Sequence, residues 1–297
     1  MSLVINHNLM AMNAARNLGN SYANLSDSVR RLSSGLRIGT AADDAAGLAI
    51  RELMRAEIAG MNQGVRNAND AISLIQTADG ALGVIDEKLI RMKELAEQAA
   101  TGTYNSDQRL MIESEYQAMA SEITRIANST DFNGVHLLNG NLSSYTHDGS
   151  GLVSKGMLKI HFGTGNDPAE DYYYIRIGDA TASALGVGNQ AETDAAAYSV
   201  STQSRAQAAV AGLNAAIISK DKIRAALGAM QNRLENTISN LQIQAENLQA
   251  AESRISDVDV ATEMTEFVRN QILTQAAVAM LSQANSLPQL ALSLIGG

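Results

Sequence analysis

The feature that most constrains this chain is a heptad alternation of apolar residues that recurs in four stretches. Leu18, Tyr22, Leu25, Val29, Leu32 and Leu36 are spaced 4-3-4-3-4. Ile75, Ala78, Leu82, Ile85, Leu89, Met92, Ala96 and Ala99 keep the 3-4 rhythm without a break. Ile112, Tyr116, Met119, Ile123 and Ile126 repeat it, as do Leu234, Ile238, Leu241, Ala245 and Leu248. Apolar residues at this period form one stripe along an α-helix, and the stripe must be covered by partner helices. The fold class that follows is mainly α: long antiparallel helices in a coiled-coil or bundle rod, with a β-hairpin and a small β-rich insert.

Composition supports long helices and removes several chemistries. Only two Pro interrupt 297 residues, and Ala and Leu, the strongest helix formers, abound. With no Cys there is no disulfide, thiolate metal site or Cys nucleophile. A formal charge of −9 argues against a nucleic-acid partner. No apolar run reaches the roughly 18 residues of a membrane span, so no membrane partner is expected. The first residues lack the basic region and small-residue cleavage site of a secretory signal.

Breaks fall where the repeats stop. Ser33, Ser34, Gly35, Gly39 and Thr40 end the first helix, and Asp43 and Asp44 are placed to cap the next. A turn follows at 102–106, with Ser106 placed as a cap. Asn133-Gly134 between short apolar runs predicts a hairpin. From about 139 to 203 Gly is frequent and five of the eight Tyr gather, with strand propensity at 172–177. Helix resumes near Ala206 and runs, with a joint at Asp257 and Asp259, almost to Pro288.

The two ends share an unusual property. No charged side chain follows Arg269, and none precedes Arg16 except the titratable His7. Val268, Ile272, Leu273, Met280 and Leu281, with interleaved Ala, form a helical stripe, and the opposite face is uncharged Asn, Gln, Ser and Thr. Faces of this kind suit burial on all sides, because a buried Lys or Glu is costly unless paired. Both ends are therefore expected to be interior in an assembly.

Catalytic signatures fail on inspection. His7, His136, His147 and His161 are scattered, and no HExxH is present. The segment 151–156 begins like a phosphate loop, but Met157 and Leu158 stand where Lys and Ser or Thr are required. Asp167, Glu170 and Asp171 read as a solvated acidic loop. We expect no catalytic residue, no metal and no cofactor.

Several long motifs, in order, resemble those of bacterial flagellins. They are RLSSGLRI at 31–38, DDAAGLAI at 43–50, RNANDAISLIQ at 66–76 and TDFNG at 130–134. QNRLENTISNL at 231–241, ENLQAAESRISDVDVATEM at 246–264 and the residues at 280–283 and 292–294 continue the match. The resemblance covers roughly 1–140 and 204–295 and implies a non-enzymatic subunit of the flagellar filament, secreted and extracellular, acting in swimming motility. It implies a terminal coiled-coil domain plus spoke at 1–44 and 256–297, forming the filament core. It also implies a helical middle domain at 45–140 and 204–255, its hairpin starting near 132, and a short, surface-exposed variable insert at 141–203. The filament-core interface is then expected on Leu18, Tyr22, Leu25, Val29, Leu32, Val268, Ile272, Leu273, Met280 and Leu281. The implied partners are further copies of the chain, the flagellar export apparatus, a C-terminal export chaperone, and the filament cap and hook-junction proteins. LIRMKELA at 89–96 and ESE at 113–115 resemble the site read by the vertebrate flagellin-sensing Toll-like receptor, which maps receptor contacts onto Arg91, Leu95 and Glu115. The alternative family role is a hook-filament junction protein.

Overall fold

The structure, a computed structural model, describes residues 8–151, 155–188 and 197–295, with side chains as far as 286. His7, part of the phosphate-loop-like segment and the side chains of the motif at 292–294 lie outside the described residues. Among the described residues there are five helices: α1 (Leu9–Ser34), α2 (Ala45–Ala100), α3 (Ser106–Ser129), α4 (Gln203–Ser256) and α5 (Val260–Ile295). Short strands lie between α3 and α4: β1 (Asp131–Phe132), β2 (Val135–His136), β3 (His147–Asp148), β4 (Lys155–Gly156), β5 (Leu158–His161) and β6 (Tyr172–Ile175). They pair antiparallel in sequence order, β1 with β2, β3 with β4 and β5 with β6. The chain is mainly α with small antiparallel strand pairs, as the periodicity implies.

Contacts divide the chain into two compact units, one of Met1–Ile58 with Glu246–Gly297 and one of Ala59–Ala245. α2 and α4 contribute residues to both.

In the second unit the heptads of α2, α3 and α4 converge on one core. All eight α2 residues from Ile75 to Ala99 in the 3-4 pattern are buried, and Ala206, Ala209, Leu213, Ala216, Leu227 and Leu234 of α4 join them. On α3 the fully covered stripe is Ile112, Tyr116, Ala120, Ile123 and Ala127, while Met119 and Ile126 pack at its edge. Small Ala at these positions lets the helix backbones approach closely. The Tyr116 hydroxyl donates to the carbonyl of Ala197, and burial pushes its pKa above the ordinary phenol value. Beside it, the Glu113 carboxylate accepts the N–H of Val200, so α3 holds the segment that leads into α4.

Helix ends follow local capping chemistry. Asn105, not Ser106, caps α3: its side chain accepts the N–H of Gln108, whose own side chain accepts the N–H of Asn105. Ser106 is one residue too late, and the reciprocal Gln108 bond decides between the two. Asp44 caps α2 through the N–H groups of Ala46 and Gly47. Asn133 and Gly134 both take positive φ, 50° and 80°, in the two-residue turn joining β1 and β2. α5 continues beyond Pro288 to Ile295, further than the sequence expectation.

The β5–β6 hairpin lies on the helices. Asn67 donates to the His161 carbonyl at 2.8 Å, and the Arg233 guanidinium sits 3.6 Å from the centroid of the Tyr173 ring. Gly64 permits this approach, because a Cβ there would fall 1.9 Å from the Phe162 carbonyl oxygen.

Candidate functional site

Within the first unit α1 and α5 run antiparallel. Asn8 pairs with Ala284 at one end of the contact and Arg31 with Glu263 at the other. Asn8 also caps α1 by accepting the N–H of Ala11. At the opposite end the chain leaves α1 through Gly35, at φ 72°, and zips against the α4–α5 joint. There Arg37 N–H donates to Ser256 at 2.6 Å, the Arg37 side chain to Ile255 at 2.7 Å, and Val258 N–H to Gly35 at 3.0 Å. Asp259 caps α5 through Ala261 and Thr262. Arg51 is buried and donates to the Ile38 carbonyl.

The seam between the two helices is built from small, polar and a few large residues. α1 contributes Ala11, Ala14, Leu18, Ser21, Leu25, Ser28 and Leu32. α5 contributes Glu263, Phe267, Asn270, Thr274, Ala277, Leu281 and Ala284. Leu18, Leu25, Leu32 and Leu281 thus face the partner helix, but Tyr22 and Val29 do not. Ser21 and Ser28, one residue earlier, take the alternate seam positions, and their small side chains let the pair close without the larger neighbours.

The large apolar residues turn outward. Tyr22 is 54% exposed, Ile272 59% and Met280 62%, and Val29, Val268 and Leu273 are exposed with them. Met10, Met280 and Leu273 border an open groove of about 680 Å³, floored by Ala14 and Ala277. Among the described residues no charged side chain lines it. Nearer the joint the character changes, and a second groove carries Asp27, Arg31, Glu263, Glu266 and Arg269. Apart from the exposed Arg16, the pair is therefore apolar or uncharged on its outside toward the chain ends and charged toward the joint. Such a face has nothing to do alone in water; its chemistry is that of burial against another apolar surface.

One ion pair braces the exit from α1. Arg30 donates to both carboxylate oxygens of Asp43, at 2.9 and 2.8 Å, and Asp43 also accepts from Gly39 and Thr40. The Arg30 guanidinium, with the Thr40 and Gly39 donors, holds the Asp43 carboxyl far below the usual carboxylate range.

In the second unit Arg91 and Glu115 stand together on the surface. Nε and Nη2 of Arg91 donate to one Glu115 oxygen at 2.9 and 2.8 Å, and Nη1 reaches Glu94 at 2.9 Å. Leu95 is only 1% exposed and belongs to the core beneath them. The sequence pattern brings Arg91 and Glu115 together but could not show that Leu95 points inward. The site that sequence reasoning missed is the polar seam, whose signal was Ser21 and Ser28 one heptad apart on α1 and Asn270 and Thr274 four residues apart on α5.

Among the described residues no group of three or more His, Cys, Asp or Glu could hold a metal ion. No described helix is long and apolar enough to cross a membrane.

Known proteins resemble the chain along nearly its whole length. A model of the bacterial flagellin N-terminal helical region matches residues 5–143, and one of the bacterial flagellin C-terminal helical region matches 210–295. A flagellar filament 33 kDa core protein of Treponema phagedenis is 43% identical over 293 residues, covering 99% of this chain and 100% of the relative. A flagellin of Halalkalibacterium halodurans is 43% identical over the same shares. A solved structure of a protein described as flagellar hook-associated, from Vibrio parahaemolyticus, shares the fold at TM-score 0.55 and 12% identity, over 72% of this chain and 100% of its own.

Proposed function

The chain belongs to the bacterial flagellin family of structural, non-enzymatic filament subunits, and from this we propose that its α1–α5 pair is the surface through which copies polymerise. The observation that carries the reading is the inverted pair, with Ser, Ala, Asn and Thr on its seam and Tyr22, Val29, Val268, Ile272, Leu273 and Met280 outside. A two-helix pair with large apolar residues outside, those toward the chain ends lining an uncharged groove, gains most when another copy covers them.

In this reading 1–44 and 256–297 form the filament core, 45–140 and 204–255 the middle layer, and 141–203 the outer surface. Each copy presents two different complementary faces, so contacts do not close and a helix grows. The chain reaches the extracellular filament through the flagellar export apparatus with a C-terminal chaperone, adds beneath the cap beyond the hook-junction proteins, and serves swimming motility. To test this, purified chain is seeded with short filament fragments and followed by negative-stain electron microscopy, beside a chain lacking residues 270–297. Long filaments from the intact chain alone support the reading. If the intact chain stayed monomeric where a known flagellin polymerises, the hook-filament junction role would replace it.

The monomer is also read by the vertebrate flagellin-sensing Toll-like receptor through Arg91 and Glu115, with Leu95 supporting them from the core rather than touching the receptor. Arg91→Ala with Glu115→Ala should weaken activation of receptor-bearing cells at least tenfold. Equal activation would remove this role.

A further inference from the structure

The apolar seam between α2 and α4 does not by itself define how far along each other the two helices sit. A shift of seven residues places Ile75, Ala78, Leu82, Ile85, Leu89 and Met92 against seam residues of the same kind, because both stripes repeat by heptads. One seam position on α4 differs. Between Ala216 and Ile223 it is occupied by Lys220, 2% exposed, whose ammonium lies 2.6 Å from Asp86 on α2 and 2.7 Å from Asp221. One turn on, Arg224 donates to both oxygens of Asp79, at 2.7 and 3.2 Å. Asp79 and Asp86 are one heptad apart.

We infer that these two ion pairs together are a register lock, which selects one of several heptad alignments that the apolar seam would accept. Neither pair suffices alone. A slip of one heptad in one direction brings Arg224 to Asp86, but it buries Lys220 against Lys93, which lies seven residues after Asp86. A slip in the other direction brings Lys220 to Asp79, but it leaves Arg224 beside Ile72. Only the observed alignment satisfies both cations at once. Asp221 moves with Lys220 in every alignment, so the selection rests on Asp86: a buried Lys that loses one of its two carboxylates, or meets Lys93 instead, is less well compensated, and the wrong alignments are penalised. The consequence for an assembling subunit is geometric. A one-heptad error would move the outer face of α4 by roughly 10 Å relative to α2, at 1.5 Å per residue, and so misplace every contact that spans both helices.

The lock makes a directional prediction. With Lys220→Met, the native alignment and the one that joins Arg224 to Asp86 hold equal numbers of pairs, so both should be populated. With Arg224→Leu, the native alignment competes instead with the one that joins Lys220 to Asp79. The chain has no Cys, so Glu97→Cys on α2 and Asn232→Cys on α4, both exposed, can be spin-labelled cleanly in the full chain and their separation read by double electron–electron resonance. The parent should give one distance. Lys220→Met should add a population roughly 10 Å shorter and Arg224→Leu one roughly 10 Å longer. Lys220→Glu with Asp86→Lys makes both pairs oppositely charged only in the native alignment, because the slip that sets position 220 against Lys93 also sets Arg224 against the cation introduced at position 86, and it should return a single distance. Helix content by circular dichroism confirms folding, and if Lys220→Met did not fold, the surface-accessible Arg224→Leu decides the matter. A single parental distance in both single variants would overturn the lock and assign the alignment to the β5–β6 hairpin, which touches α2 through Asn67 and α4 through Arg233.

Discussion

Asn8 donates its side-chain amide to the carbonyl of Ala284 at 2.7 Å, joining positions 276 residues apart in the chain. The same side chain caps α1 through the Ala11 N–H, so one residue both starts the first helix and ties it to the last. Asn8→Ala should cost about 1 kcal/mol in the stability of the pair, the usual scale for a lost N-cap. Amide exchange at Ala11 and Met12 should quicken first, read by hydrogen–deuterium exchange of the monomer.

Acid should loosen the exit from α1. The Asp43 carboxyl is held below its ordinary value by Arg30, Thr40 and Gly39, so between the folded pKa and the unfolded value near 3.9 the unfolded chain binds more protons. Asp43 therefore stabilises above about pH 4, and that contribution is lost as pH falls through the folded pKa. Asp79, lowered by Arg224, acts in the same direction. Thermal melts from pH 7 to about pH 2 should show Asp43→Asn with a lower plateau and a shallower acid limb than the parent. Parallel limbs would remove Asp43 as a source of acid sensitivity.

Gly64 is set by what touches it. A methyl group would meet the Phe162 carbonyl oxygen, so Gly64→Ala should displace the β5–β6 hairpin and weaken the Asn67–His161 bond. A loss of about 1–3 kcal/mol, the range for overpacking, is expected in urea unfolding. Gly80, with nothing near its missing Cβ, should accept Ala without loss and serves as the control.

How much of this was legible in the sequence depended on whether a residue answers to its own helix or to a distant one. The α2 heptad from Ile75 to Ala99 was legible throughout because helices cover it on every turn. Asn133-Gly134 was legible because its turn is local. Tyr22 and Val29 belong to the apolar stripe that the heptads display on α1, yet Ser21 and Ser28 hold the alternate positions that face α5. A seam that closes around small side chains leaves a weak hydrophobic signal, and the louder signal beside it belongs to the outer face. Lys220 was equally hard to find, since a seam position filled by Lys breaks the pattern that reveals seams. Leu95 was mapped as a receptor contact by the resemblance alone, although it stands three residues after Met92 and four before Ala99, beside the buried stripe of α2.

The central claim is that the outward apolar face of the α1–α5 pair drives polymerisation. Ile272→Lys with Met280→Lys tests it most directly, measured as the rate of seeded filament elongation alongside the melting of the monomer. Both residues are exposed, so monomer stability should change by no more than about 0.5 kcal/mol, while elongation should be abolished by charges buried without partners. Elongation at the parental rate in this variant would show that the face is not buried between copies, and the account of assembly would fail.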